Sequence, residues 1–158
     1  MPNITPFLWF DKEAAQAAKF YTSIFKKSRI KHVARYGDAG PGPKGSVMTV
    51  AFSIAGQDFI ALNGGPMFKF NESVSFVINC RTQQEIDYYW KRLASGGGKP
   101  VQCGWLTDKF GLSWQIVPAD MREIMGGNNP EGSQRAMQAM LKMKKLDLET
   151  LRRAYEGK

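Results

Sequence analysis

The first half of the chain has two patterns of hydrophobic residues. In some segments hydrophobic and polar residues alternate with a period of two, and in one segment hydrophobic residues recur at spacings of three and four. The first pattern predicts strands and the second predicts a helix, in the order β-α-β-β-β. Ala14, Ala18, Tyr21 and Phe25 form one side of the helix, and Asp11 is expected to cap its N-terminus. The predicted elements are a strand at 4–10, a helix from 12 to about 26, and strands at 29–36, 47–54 and 58–63.

The same order of elements is predicted again in the second half of the chain. Val74, Phe76 and Ile78 alternate with Ser73 and Ser75, which is typical of a strand with two different faces. The predicted elements are a strand at 73–79, a helix that starts at a capping box at 82–85 and stops before the glycines 96–98, and extended segments at 101–106 and 113–117.

This repeat predicts an α+β fold built from two βαβββ modules. The first module is expected at about 1–64 and the second at about 72–118, and together they form one paired domain over 1–118. The predicted boundary between the modules is the break at Gly64-Gly65-Pro66.

The chain after residue 118 has a helical pattern instead. Asn129 and Pro130 are expected to open one helix, and Asp147 is expected to cap another. Residues 119–158 are therefore predicted to be a C-terminal helical extension that packs on the domain or on a dimer partner.

Positive charge is concentrated near the start of the chain. The 158 residues include 22 Lys and Arg, 14 Asp and Glu and one His, which gives a formal net charge of +8. Most of the surplus lies in Lys26–Arg35, which we expect to be a helix end followed by an edge strand. Binding to nucleic acid is the alternative, although zinc-finger spacing, a basic heptad region and an aromatic RNP motif are all missing.

The composition, 43% hydrophobic and 23% charged residues, is that of a globular protein with a real core. No apolar run reaches about 18 residues, and the start lacks the layout of a signal peptide. Cys80 and Cys103 are too few for a disulfide framework. We therefore expect a cytoplasmic protein whose two cysteines are structural.

Most motifs that carry chemistry are missing from the sequence. His32 is the only histidine, so we predict neither a His-based metal site nor a catalytic triad. The glycines within 37–45 match neither GxGxxG nor GxxxxGK and precede a strand, so no nucleotide or S-adenosylmethionine site is expected there. They are expected to form a flexible lid or a long hairpin loop, and no metal or cofactor is predicted.

Three polar residues interrupt otherwise apolar strands. Asn63, Ser75 and Gln115 occupy such positions, and large aromatic residues, including Trp105, lie near them in the pattern. A curved sheet with one apolar face under helices and one partly polar face favours a ligand pocket, while a solvated sheet face is the alternative.

Several strings of the sequence resemble one known family. They are Asn63–Pro66, Phe68–Glu72, the helix start Thr82–Asp87 and, most specifically, Cys103–Pro118. The chain is similar in these strings to the PhnB-like branch of the vicinal oxygen chelate superfamily, which includes glyoxalases, bleomycin-resistance proteins and extradiol dioxygenases. Members of the branch are often labelled 3-demethylubiquinone 3-methyltransferase.

The resemblance implies that the paired modules form a cupped, incomplete barrel within a homodimer, with or without exchange of modules between subunits. It also implies that metal-using relatives bind a divalent ion through His and Glu on inner strands. The corresponding positions here fall near Thr5 or Pro6, at Asn63, at Ser73 or Ser75, and at Gln115, and none is a histidine or a carboxylate.

We therefore expect a degenerate metal site and a protein that binds a small molecule. Whether it also catalyses a metal-independent reaction is open. The expected ligand-binding residues are Asn63, Ser75, Trp105 and Gln115, and the basic charge favours an anionic ligand. The alternatives are a resistance-type protein that sequesters a drug, and a basic protein that binds nucleic acid or another anionic partner.

Overall fold

The computed structural model describes every residue from Met1 to Lys158 and contains two compact units, Met1–Phe70 and Asn71–Lys158. The fold is α+β, as predicted. Each unit has one four-stranded mixed sheet, and both sheets are open rather than closed into a barrel. The elements are β1 (Phe7–Phe10), α1 (Ala14–Ile24), β2 (Arg29–Arg35), β3 (Val47–Ile54), β4 (Gln57–Asn63), β5 (Ser75–Cys80), α2 (Gln83–Leu93), β6 (Lys99–Pro100), β7 (Trp105–Thr107), β8 (Ser113–Pro118), α3 (Met121–Gly126), α4 (Pro130–Met140) and α5 (Leu148–Glu156).

The two sheets have the same topology. The strand order is β1-β4-β3-β2 in the first and β5-β8-β7-β6 in the second. In each sheet the first strand of the module pairs in parallel with the last, and the remaining pairs are antiparallel. This equivalence confirms the internal repeat predicted from the sequence.

Helix α1 packs on one face of the first sheet through small side chains. Ala14, Ala17 and Ala18 are fully buried, and the ring of Tyr21 stacks on Phe52 of β3 with centroids 6.2 Å apart. Because alanine has no side chain beyond Cβ, the helix backbone can lie close to the sheet. The residues at three- and four-residue spacing therefore form the core of this unit, as predicted.

The predicted cap of α1 is wrong. The helix begins at Ala14 with Glu13 as its N-cap, and neither Glu13 nor Asp11 accepts a capping hydrogen bond. Asn63 at the end of β4 does so instead, since its Oδ1 accepts from the Ala14 N–H at 2.8 Å. The parallel pairing places Phe10 opposite Asn63, so the chain that enters the helix lies beside the end of β4.

The predicted end of α1 is also wrong. The helix stops at Ile24, and its C-cap, Phe25, is extended and nearly buried. Lys26 and Lys27 therefore lie beyond the helix, and no basic residue occupies its last turn. Burial of the Phe25 ring in the core outweighs continuation of the helix towards the two exposed lysines.

Local signals set the helix starts of the second unit as predicted. Thr82 Oγ accepts from the Glu85 N–H at 3.2 Å, and the carboxylate of Glu85 accepts from the N–H of Arg81 at 2.7 Å. Asn129 caps α4 by accepting from Gly132, with proline at the first helical position. These contacts satisfy N–H groups that an α-helix leaves unpaired at its start.

The C-terminal extension contains three helices, of which the sequence pattern had not indicated α3. Helices α4 and α5 pack together, and Arg135 donates to the backbone carbonyls of Ala154 and Tyr155 at 2.9 and 2.8 Å. Leu146 and Leu151 are completely buried. No helix of the chain has the length and apolar character needed to cross a bilayer.

Asp147 should stabilise the extension in a pH-dependent way. Its carboxylate accepts from the Thr150 N–H at 2.7 Å, and this hydrogen bonding holds the pKa of Asp147 below its ordinary value. A folded-state pKa below the unfolded one means that the stabilisation is present above pH about 4 and is lost as the pH falls through the folded pKa. Asp147→Ala should lower the free energy of unfolding by about 1 kcal/mol at pH 7.

Urea unfolding at pH 7 and pH 3 measures this effect. Asp147→Asn is the matched control, because asparagine also caps helices but does not titrate. If Asp147→Ala lost as much stability at pH 3 as at pH 7, the carboxylate would not be the source of the effect.

Candidate ligand-binding site

Strands β5, β7 and β8 of the second sheet have one buried and one partly open face. Leu106, Trp114 and Ile116 belong to the buried face, which packs against α2. Trp105 and Gln115, which alternate with these residues along β7 and β8, belong to the other face and are half-buried. The period-two pattern therefore gives this sheet an apolar side and a side with polar groups, as the sequence predicts.

Three of the four predicted site residues lie together on this partly open face. The Nε2 of Gln115 donates to the Oγ of Ser75 at 2.9 Å. Trp105 is directly opposite Gln115 in the antiparallel β7–β8 pair. We call Ser75, Trp105 and Gln115 the polar-face cluster.

The polar-face cluster offers both hydrogen-bonding roles to a ligand. Gln115 Oε1 makes no hydrogen bond within the protein, and the hydroxyl of Ser75 accepts from Gln115 but donates to no protein group. An amide oxygen and a hydroxyl hydrogen are thus available side by side, next to an indole ring. Both polar side chains are uncharged, so the cluster can bind by hydrogen bonding and stacking.

Asn63, the fourth predicted residue, belongs to the first unit, and both polar atoms of its side chain make hydrogen bonds within the fold. Its Oδ1 accepts from Ala14, its Nδ2 donates to the carbonyl of Val47 at 3.1 Å, and its backbone carbonyl accepts from the hydroxyl of Tyr36 at 2.6 Å. The side chain therefore ties α1 to two strands.

Asn63 also lines a half-open cavity of about 590 Å³ in the first unit. The sequence pattern did not predict this cavity. The sequence feature that could have indicated the cavity is Tyr36 at the end of a strand, followed by the alternating glycines and prolines at 40–43. The lining residues are Asp11, Lys12, Ala15, Gln16, Tyr36, Pro41, Gly42, Pro43, Ser46, Val47, Asn63, Gly64 and Gly65.

The glycine-rich segment at one side of this cavity is the connection between β2 and β3. Tyr36 and Ser46 close it by a backbone hydrogen bond of 2.9 Å. Gly40 and Gly42 lie against the ring of Tyr36, where a Cβ on either glycine would collide with ring atoms. The segment is thus a long hairpin loop, and it joins two antiparallel strands instead of leading into a helix.

The donor groups present do not fit a catalytic divalent metal ion. No group of three or more His, Cys, Asp or Glu side chains that could hold an ion occurs in the chain. The positions that the resemblance implied as ligands hold an engaged amide at Asn63 and the uncharged pair Ser75 and Gln115. Such sites need imidazole, thiolate or carboxylate ligands.

The two cysteines differ in their surroundings. Cys80 is buried, and burial raises the pKa of its thiol to about 12, with a smaller contribution from the charge of Glu85. At that pKa the thiol stays protonated and is a poor nucleophile. Cys103 is half-buried, and its Sγ lies 3.7 Å from the carbonyl of Met140.

The basic stretch includes an exposed edge strand, as predicted. Strand β2 lies at the edge of the first sheet, and only Ala34 of its residues is not exposed. Lys31 pairs with Asp58 at 3.0 Å, and His32 is a surface residue.

Comparison with known proteins gives one family and several similar structures. Residues 2–117 match the family model described as 3-demethylubiquinone-9 3-methyltransferase. The PhnB protein from Bacillus cereus, described by the same activity, is 35% identical, and the match covers 75% of this chain and 100% of that one with a TM-score of 0.68. No curated protein matches.

Two further structures share the fold at lower identity. A protein from Pseudomonas aeruginosa is 20% identical, with 75% of this chain and 98% of that chain covered and a TM-score of 0.61. The fosfomycin resistance protein FosX from Listeria monocytogenes, solved with Mn(II) and sulfate, is 16% identical. The match covers 77% of this chain and 93% of that chain, with a TM-score of 0.52.

Proposed function

The chain belongs to the 3-demethylubiquinone-9 3-methyltransferase family, the PhnB-like branch of the vicinal oxygen chelate superfamily, and we propose that it binds a small organic molecule without a metal ion. The observation that carries this proposal is the polar-face cluster. Gln115 and Ser75 are hydrogen-bonded to each other, and Trp105 lies opposite Gln115 in register.

The chemistry of the cluster indicates what kind of molecule it would bind. An acceptor, a donor and an indole ring suit a flat molecule that carries a carbonyl or hydroxyl group beside an apolar part. The net charge of +8 attracts anionic molecules to the protein as a whole, while the cluster itself supplies no charge. We therefore propose a small, partly planar ligand, with an anionic group favoured over a cationic one.

The family description names a methyl transfer, and the described geometry gives little support to it here. The glycine-rich loop connects β2 to β3, whereas dinucleotide and related cofactor sites use a glycine-rich turn between a strand and a helix. Micromolar binding of S-adenosylmethionine in a calorimetric titration would contradict this view.

We also propose that the protein is a homodimer, as the family resemblance implies. Phe7, Val74 and Val77 are about half exposed or more on or beside the first strand of each sheet. Covering such side chains in an interface would remove apolar surface from water.

Native mass spectrometry of the purified chain tests the ligand, the metal and the subunit count together. We expect twice the chain mass of 17.7 kDa, with an organic adduct and no stoichiometric metal. The adduct should be lost in Gln115→Ala, and Gln84→Ala, on the exposed surface of α2, is the matched control. One divalent ion per chain that disappears in Gln115→Ala would overturn the metal-free proposal.

A further inference from the structure

Residues 141–147 connect α4 to α5, and we call residues 143–148, the end of this connection and the first residue of α5, the strap. They lie beyond residue 117, where the family match ends. The match to the Bacillus cereus structure covers all of that chain and 75% of this one, so a quarter of this chain has no counterpart in that structure. The strap contacts module two at two places, and both contacts bear on the polar-face cluster.

The first contact is with the turn that precedes β7. The N–H of Cys103 donates to the carbonyl of Met143 at 2.9 Å, and the N–H of Gly104 donates to the carbonyl of Lys144 at 2.8 Å. Gly104 is also close to the strap through its Cα, since a Cβ there would lie 3.1 Å from the side chain of Leu146. The strap thus fixes two consecutive backbone groups.

The second contact is with the first turn of α2. The side-chain amide of Gln83 donates from Nε2 to the carbonyl of Leu146 at 3.1 Å and accepts at Oε1 from the N–H of Leu148 at 2.8 Å. One side-chain amide therefore bonds to a carbonyl and an N–H group on either side of Asp147, in the way that the backbone of a neighbouring strand would. Lys145 adds an ion pair with Asp87 at 2.7 Å.

The turn held by the strap leads directly to the cluster. Cys103 has φ 59° and Gly104 has φ 83°, a conformation that a non-glycine residue rarely adopts without support. The carbonyl of Gly104 accepts from the N–H of Ile116 at 2.8 Å, so Gly104 is bonded to the strap on one side and to β8 on the other. Trp105 follows Gly104 and begins β7, and Gln115 precedes Ile116 in β8.

We propose that the strap is a positioning element for the polar-face cluster and that Gln83 is the positioning residue that holds it. Gln83 fixes the strap, the strap fixes the Cys103–Gly104 turn, and the turn fixes where Trp105 lies opposite Gln115. The importance of this for ligand binding rests on the proposed function. The mechanical coupling from Gln83 to Trp105 does not, and it can be measured without a ligand.

The test is Gln83→Leu in the full-length chain, with Gln84→Leu as the matched control. Leucine has a similar size but cannot form these hydrogen bonds to the strap, and the exposed neighbour Gln84 makes no hydrogen bond with it. In Gln83→Leu we expect amide hydrogen exchange of Leu148, Cys103 and Gly104 to accelerate by about tenfold or more. The indole N–H signal of Trp105 should shift, while that of Trp9 in the other unit stays in place.

Two outcomes would overturn the proposal. If the Leu148 amide kept its protection in Gln83→Leu, Gln83 would not hold the strap. If Leu148 lost protection while the amides of Cys103 and Gly104 and the Trp105 signal stayed unchanged, the strap would not position the site. If Gln83→Leu fails to fold, Gln83→Ala is the second variant, and it should accelerate exchange of the same amides because it also removes both hydrogen bonds to the strap.

Discussion

Replacing Asp108 with alanine should cost the second unit about 4 kcal/mol of unfolding free energy, judged from the hydrogen bonds it removes. The Asp108 side chain is only 3% exposed, and its carboxylate accepts from the N–H groups of Phe110 and Leu112 at 2.8 and 3.1 Å and from the Trp114 indole at 2.9 Å. Alanine would leave these donors without their acceptor beneath β8. Each buried donor left unsatisfied costs about 1–3 kcal/mol.

Urea unfolding followed by tryptophan fluorescence measures the loss, and the indole N–H signal of Trp114 reports it directly. Asp108→Asn is the control, since its amide oxygen can still accept hydrogen bonds and should preserve part of the stability. A loss below about 1 kcal/mol in Asp108→Ala would mean that water replaces the carboxylate at little cost.

The second large effect is expected for Gly104→Ala. Gly104 has φ 83°, and a Cβ would lie 2.8 Å from the carbonyl oxygen of Ile116 and 3.1 Å from Leu146. The left-handed backbone alone costs an alanine about 1–2 kcal/mol, and the collision with the β8 backbone must be relieved in addition. We expect a total loss of about 3 kcal/mol or more.

Gly97→Ala in the same unit separates the two contributions. Gly97 also has a positive φ, 112°, but a Cβ there would meet nothing within 4 Å. Gly97→Ala should therefore show only the backbone cost. Equal losses in the two variants, measured by urea unfolding, would show that the strap and β8 move aside easily from Gly104.

The features predicted correctly depend on residues that are close in the sequence. The period-two alternation correctly predicted that Ser75 and Gln115 lie on strands, and the capping box at 82–85 correctly predicted that Thr82 caps the start of α2. Because the last strand of each module pairs with the first, the repeat also brought Ser75 near Gln115. Such signals need only the local geometry of strands and helix ends.

The features that were missed depend on contacts between distant residues. Asn63 caps α1 across 49 positions of sequence, so a local search selected Asp11 instead. Gln83 bonds to strap residues that are 63 and 65 positions away in the sequence. The capping box predicted a role for Thr82 and Glu85 but none for Gln83 between them. A side-chain amide that satisfies distant backbone groups leaves no periodic signal in the sequence.

The four tryptophan indole signals report whether the polar-face cluster binds a small molecule. The full-length chain would be titrated with a set of small aromatic carboxylates and amides. We predict that the compounds that bind shift the indole signal of Trp105 and the side-chain amide of Gln115, leave the buried Trp114 in place, and lose affinity in Gln115→Ala. The contradicting result is that every compound that binds shifts only Trp9, whose indole donates to Gly65 at the cavity of the first unit, or binds Gln115→Ala equally well.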